Sequence, residues 1–116
     1  MVDEEIEAIC ADIAKRDPTF KASVRTTFSR APFGTAMEAE IVRIVSGAVR
    51  DRIGHEPEYR GMTFWADSGI LSGAGIPTVL FGPGGAGLHS AVEYVNVDDV
   101  LVCADVLART AIAFCG

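Results

Sequence analysis

Along the first sixteen residues the apolar positions Ile6, Ile9, Cys10 and Ile13 recur at intervals of three and four, the spacing of one helix face. Asp3, Glu4 and Glu5 open this stretch and Lys15-Arg16 close it, the charge order that suits a helix dipole. The pattern predicts a one-faced amphipathic helix over 3–15, stopped by Asp17-Pro18. From Thr19 the period falls to two, with Phe20, Ala22, Val24, Thr26 and Phe28 on one side and Lys21, Ser23, Arg25 and Thr27 on the other. That alternation predicts a strand over 20–28 with one wet face. Ser29 to Gly34, carrying Arg30 and Pro32, reads as a linker. Thr35-Ala36-Met37-Glu38 then offers a capping box for a second helix over 36–53, whose buried stripe is Met37, Ile41, Ile44, Val45 and Ala48 and whose end is Gly54.

Further on, Glu58 to Trp65 reads as a strand, and Asp67-Ser68-Gly69 opens a short helical stretch running into Gly73-Ala74-Gly75. Residues 77–81, Pro-Thr-Val-Leu-Phe, are too apolar to alternate, as expected of a strand buried on both faces. A last helix is predicted over 97–114, capped by Asn96, with Asp98 and Asp99 in its first turn. Val100, Leu101, Ala104, Leu107, Ala108, Ala111 and Ile112 make it apolar on nearly every side, so it needs cover on more than one. Helices alternating with strands argue for an α/β architecture with at least a short parallel pair.

Composition agrees with a folded chain. A hydrophobic content of 49% and a mean hydropathy of +0.28 supply enough apolar side chain for a core and exclude intrinsic disorder as the main state. Ten basic against sixteen acidic residues leave a net charge of −6, which gives no electrostatic footprint for nucleic acid or for an anionic membrane. No window has the roughly 18 to 20 uninterrupted apolar residues of a membrane span, and Met1-Val2-Asp3-Glu4-Glu5 is the opposite of a basic leader. The expectation is a soluble, cytoplasmic chain. Its three cysteines, Cys10, Cys103 and Cys115, are odd in number and form no C-x-x-C pair. They fit reduced, buried thiols better than a disulfide framework or a zinc knuckle.

Seven of the twelve glycines fall between Gly69 and Gly87, which directs functional attention to the interval from Asp67 to Glu93. Gly82-Pro83-Gly84-Gly85-Ala86-Gly87 formally satisfies G-x-G-x-x-G, but a dinucleotide site needs those glycines to open directly into a long helix. Here His89, Glu93 and the β-prone Tyr94-Val95 intervene before the helix cap at Asn96, so nucleotide binding is not expected. His89 and Glu93 place an imidazole and a carboxylate four apart after a predicted strand, where open α/β sheets hold ligands. A lone histidine is equally an ordinary surface residue; His55, between a helix end and a strand, is read that way. Trp65 is read as packing rather than as a stacking platform.

Ala66-Asp67, Gly75-Ile76-Pro77-Thr78-Val79, Phe81-Gly82-Pro83-Gly84 and His89 followed by Glu93-Tyr94-Val95, in that order and spacing, resemble the C-terminal end of a zinc metallopeptidase family. It is the family of aminoacylase, acetylornithine deacetylase, succinyl-diaminopimelate desuccinylase and carboxypeptidase G. The resemblance covers essentially the whole chain. It implies that residues 1–30 are the last helix and strand of a lid or dimerisation domain, and that residues 31–116 are the C-terminal part of the catalytic α/β domain. It makes His89 a zinc ligand, a role neutral imidazole suits. Asp67 and Glu93 become supporting residues around the metal, and Gly82, Gly84 and Gly85 a loop whose backbone comes close to substrate. Where the family often has a hydroxyl residue before the aspartate, this chain has Ala66.

The reaction so implied is water attack on an amide carbonyl, with paired zinc ions lowering the water pKa and a glutamate carrying the proton. The family's other ligands and its general base belong to an N-terminal segment with a His-x-Asp pair, a bridging Asp and a Glu-Glu pair, and no counterpart of that segment occurs here. A catalytic zinc takes about three protein ligands, and the resemblance assigns one. Two functions therefore stand side by side. In the first, the chain is a C-terminal portion of an amidohydrolase cleaving N-acyl amino acids or small peptides, inactive and weak in zinc binding by itself, and completed by an N-terminal half. In the second it is a non-catalytic α/β module. Either way the apolar last helix and the lid-like pair predict self-association, as a dimer.

Overall fold

The structure, a computed structural model describing residues 2–116, divides into two compact units, Met1–Ala31 and Pro32–Gly116. In the first, α1 (Val2–Arg16) carries Asp3, Glu4 and Glu5 in its first turn and Lys15 and Arg16 in its last, and buries no residue. Arg16 pairs with Asp12 one turn back. The helix ends through Asp17, whose carboxylate accepts from the Thr19 amide at 2.9 Å and the Thr19 hydroxyl at 2.6 Å. That local turn competes with further helix, and the two bonds hold the Asp17 carboxyl below its ordinary pKa. The Thr26 hydroxyl bonds the Asp3 carboxylate, which ties the segment after the turn back to the start of α1.

The second unit is organised by two helices, α2 (Glu40–Ile53) and α4 (Val97–Cys115). Ala48 and Val49 of α2 and Val106 of α4 are its buried cluster, with Val45, Val102 and Phe81 packed around them. Val106 is fully buried. Its neighbours Cys103 and Thr110 are buried too, and steps of three and four keep all of them on one stripe. Arg52 and Arg109 both reach Asp105, at 3.2 and 2.9 Å; such exposed pairs contribute about 0–1 kcal/mol each. α2 stops at Gly54, whose left-handed φ of 80° lets its amide donate to the Arg50 carbonyl. A short helix, α3 (Ser68–Gly73), follows, then the antiparallel pair β1 (Gly85–Ala86) and β2 (Tyr94–Val95).

The three main helices and the short one stand where the sequence pattern puts them, and the strands do not. Residues 20–28, 58–65 and 77–81 form no ladder, and among the described residues the only paired strands are β1 and β2, so no parallel pair forms. A strand is stable through its hydrogen-bonded neighbours, and these segments have none. Residues 77–81 are not buried on both faces either, since Leu80 is 48% exposed. The chain is a mixed arrangement of helices with a small two-stranded sheet, compatible with the α/β class. The capping box is also replaced. α2 begins four residues after the expected 36, with Ala39 at its cap, because the Thr35 hydroxyl is spent on the Thr78 carbonyl at 2.5 Å. Of the three cysteines expected to be buried, only Cys103 is, while Cys10 is half-buried and Cys115 exposed.

Candidate functional site: a glycine hairpin at the start of a helix

The glycine-rich interval folds into a hairpin rather than a nucleotide loop. Gly85 faces Val95 and Ala86 faces Tyr94, and the Asn96 amide donates to the Gly84 carbonyl at 2.9 Å, extending the same register by one pair. At the tip the Ser90 amide donates to the Gly87 carbonyl at 2.8 Å and the Ser90 hydroxyl to the Val92 carbonyl at 2.7 Å. His89 occupies the third place of that Gly87–Ser90 turn at a φ of 61°, the left-handed region. A type II turn asks for such a residue there. For a non-glycine residue the conformation costs on the order of 1 kcal/mol or more, and it is found preferentially at functional positions.

The glycines are spaced for the chain's own close approaches. A Cβ on Gly87 would sit 1.9 Å from the Val92 carbonyl oxygen, and one on Gly84 would sit 2.7 Å from an Asp99 carboxylate oxygen. Gly85 is equally confined by the Tyr94 carbonyl, whereas Gly82 has open space. The family resemblance implies that Gly82, Gly84 and Gly85 form a substrate loop. The structure gives Gly84 and Gly85 an internal use, and it adds Gly87, whose signal was the same glycine run.

The cap residue of α4 and one residue of its first turn complete the arrangement. One Asp99 oxygen accepts from the Gly84 amide at 3.2 Å and from the Asn96 side-chain amide at 3.1 Å. Asn96 stands at the cap position expected of it, but its side chain makes no capping bond; it serves Asp99 instead. The Asp99 carboxylate also bears on Cys103 one turn on. Burial first, and then the charge of Asp99, push the Cys103 thiol above its ordinary value.

His89 and Glu93 lie exposed on the hairpin, and Asp67 lies exposed at the cap of α3, where its backbone carbonyl accepts from Ile70 and Leu71. Among the described residues no three His, Cys, Asp or Glu side chains converge in a group able to hold a metal ion. These residues therefore do not fit a self-contained zinc site: His89 offers one imidazole, and Asp67 and Glu93 are not gathered with it. His55 is exposed, with Nδ1 3.0 Å from the Glu56 carbonyl oxygen, and has no part in the hairpin. No helix among the described residues is long and apolar enough to cross a membrane.

The hairpin holds two of the motifs on which the resemblance to the zinc metallopeptidases rests, Phe81-Gly82-Pro83-Gly84 leading into it and His89 with Glu93-Tyr94-Val95 on it. Residues 3–113 match the model of peptidase family M20/M25/M40, and the chain belongs to this family of generally metal-dependent hydrolases. It is similar to an acetylornithine deacetylase from Myxococcus xanthus, at 32% identity over 99% of this chain and 29% of that relative. The chain thus spans under a third of the length of the curated relative it matches. No solved structure matches it.

Proposed function

We propose that these 116 residues act as the C-terminal portion of a zinc-dependent amidohydrolase that cleaves the amide bond of N-acyl amino acids or small peptides. The observation that carries this reading is the 32% identity with acetylornithine deacetylase over 99% of the chain. In this function His89 supplies one metal-ligating imidazole, Asp67 and Glu93 line the surroundings, and Gly82 leaves backbone open to substrate. Residues 1–30 act as the end of a lid or dimerisation domain, and 31–116 as the end of the catalytic domain. Since a catalytic zinc takes about three protein ligands, the remaining donors and the general base come from an N-terminal portion, and the 116 residues alone hold zinc weakly and turn over no substrate.

The test combines the chain with a polypeptide carrying the family's N-terminal metal-binding segment and follows amino acid release from N-acetyl amino acids with zinc present. Release by the pair, absent for the chain alone and lost in His89→Ala, is the expected result. A pair that binds zinc through the N-terminal polypeptide yet hydrolyses nothing, or hydrolyses equally well with His89→Ala, overturns the assignment.

A further inference from the structure

The β1–β2 hairpin has little of its own to hold it in place. Its strands are two residues each, and every residue from 88 to 98 is exposed, so no apolar face fastens it to a core. Isolated hairpins of this kind are marginal at best in water. Yet it carries His89 in a left-handed conformation, which persists only where the surroundings over-determine it.

What fastens it is Asp99. Its carboxylate takes the Gly84 amide from the leg entering the hairpin and the Asn96 side-chain amide from the leg leaving it, while the Asn96 backbone amide closes on the Gly84 carbonyl between them. Asp99 itself is immobilised by α4, which buries Cys103 one turn further along. Hydrogen bonds to an ionised acceptor are about twice as strong as neutral ones, and the space they need is kept free by the missing Cβ at Gly84. Neighbouring Asp98, fully on the exposed side, makes no such bond.

We propose that Asp99 is a positioning residue for His89: by clamping both legs of the hairpin to the first turn of α4, it sets where the imidazole stands. The catalytic part of this inference rests on the role given to His89 above; the clamp itself does not, and its test needs neither metal nor substrate.

The experiment uses the full 116-residue chain, with amide hydrogen exchange and the His89 imidazole resonances read by NMR. In Asp99→Ala, protection of the Gly84 and Asn96 amides falls about tenfold or more, and the His89 resonances move toward those of an unstructured histidine, while the Val102 and Val106 amides keep their protection. Asp99→Asn, which retains an accepting oxygen, restores much of both. Should Asp99→Ala also loosen α4, Gly84→Ala decides, because its new methyl displaces the carboxylate without touching the helix core. Unchanged His89 resonances in Gly84→Ala, or in an Asp99→Ala chain with α4 intact, overturn the clamp. In the combined hydrolase assay, Asp99→Ala then lowers kcat about tenfold with KM little changed, and Asp99→Asn recovers it. Absence of activity in the unmutated pair counts against the hydrolase reading alone, since the NMR result stands apart from it.

Discussion

His89 shows how a single residue can hold a position that its own backbone preference opposes. A residue with a Cβ at φ 61° is strained, histidine less than most and β-branched residues more. Substituting His89→Gly removes that strain at the cost of a looser unfolded chain, so its stability stays close to that of the parent, whereas His89→Val forces a branched side chain into the same well. Urea unfolding of the two variants should separate them by about 2 kcal/mol in favour of glycine; equal stabilities would show that the turn does not enforce the left-handed conformation in solution. Cys103 gives a second expectation at this scale. With its thiol pushed above the ordinary value of 9.0, it stays protonated where an unperturbed thiol has begun to ionise, and only the thiolate reacts. At pH 8–9 iodoacetamide should therefore modify exposed Cys115 at least about tenfold faster than Cys103, the gap narrowing only as pH rises well above 9; comparable rates at pH 8 contradict the burial of Cys103.

Among the elements, the contact of α2 with α4 is where the apolar residues of the second unit meet, and it contains one defect. The Thr110 hydroxyl is buried on the α4 stripe with no hydrogen-bond partner, which costs on the order of 1 kcal/mol or more, whereas valine has nearly the same shape without the polar group. Thr110→Val should raise the free energy of unfolding by about 1 kcal/mol with the denaturant slope unchanged, and a loss of stability would mean the hydroxyl has a partner in solution. Both helices were legible from the sequence, as were Val45 and Ala48 on the α2 stripe, but the buried face of α4 was not: a helix apolar on nearly every side does not mark Val102 and Val106 as the residues that meet α2. Strand patterns carry less information. The alternation from Phe20 to Phe28 says which side would be wet, but a strand also needs a partner edge, and nothing in the local pattern names one. The glycine run directed attention to the interval that folds into the hairpin. The Asp99 clamp did not show there, because Asp98 and Asp99 look identical in a list of first-turn acids and only the three-dimensional approach of Gly84 distinguishes them.

At the scale of the whole molecule, the exposed surface is the ground for expecting self-association. Compact monomers follow a size scaling that gives about 7,200 Å² of accessible surface for two separate bodies sharing this mass as the two units do; the chain exposes 9156 Å². Large apolar side chains are among the exposed residues. In the second unit α4 leaves Leu101, Leu107, Ile112 and Phe114 more than half exposed, and in the first, where α1 buries nothing, Val2 is 69% and Ile9 59% exposed. Contiguous apolar patches beyond a few hundred Å² mark association surfaces in soluble proteins, and unpaired segments with strand patterning, such as 20–28, accept a neighbour's edge. For the chain by itself we propose a second copy as the cover, since a two-fold dimer is the commonest closed form. Light scattering at micromolar concentration should therefore report a mass of at least twice 12.3 kDa, with an unfolding midpoint that rises with protein concentration. Leu107→Glu and Ile112→Glu, on the open side of α4, should weaken the association if that helix forms the contact, and Ile9→Glu should do so if α1 does. A single 12.3 kDa species whose unfolding is independent of concentration would mean that these faces tolerate water, and the self-association reading would fall.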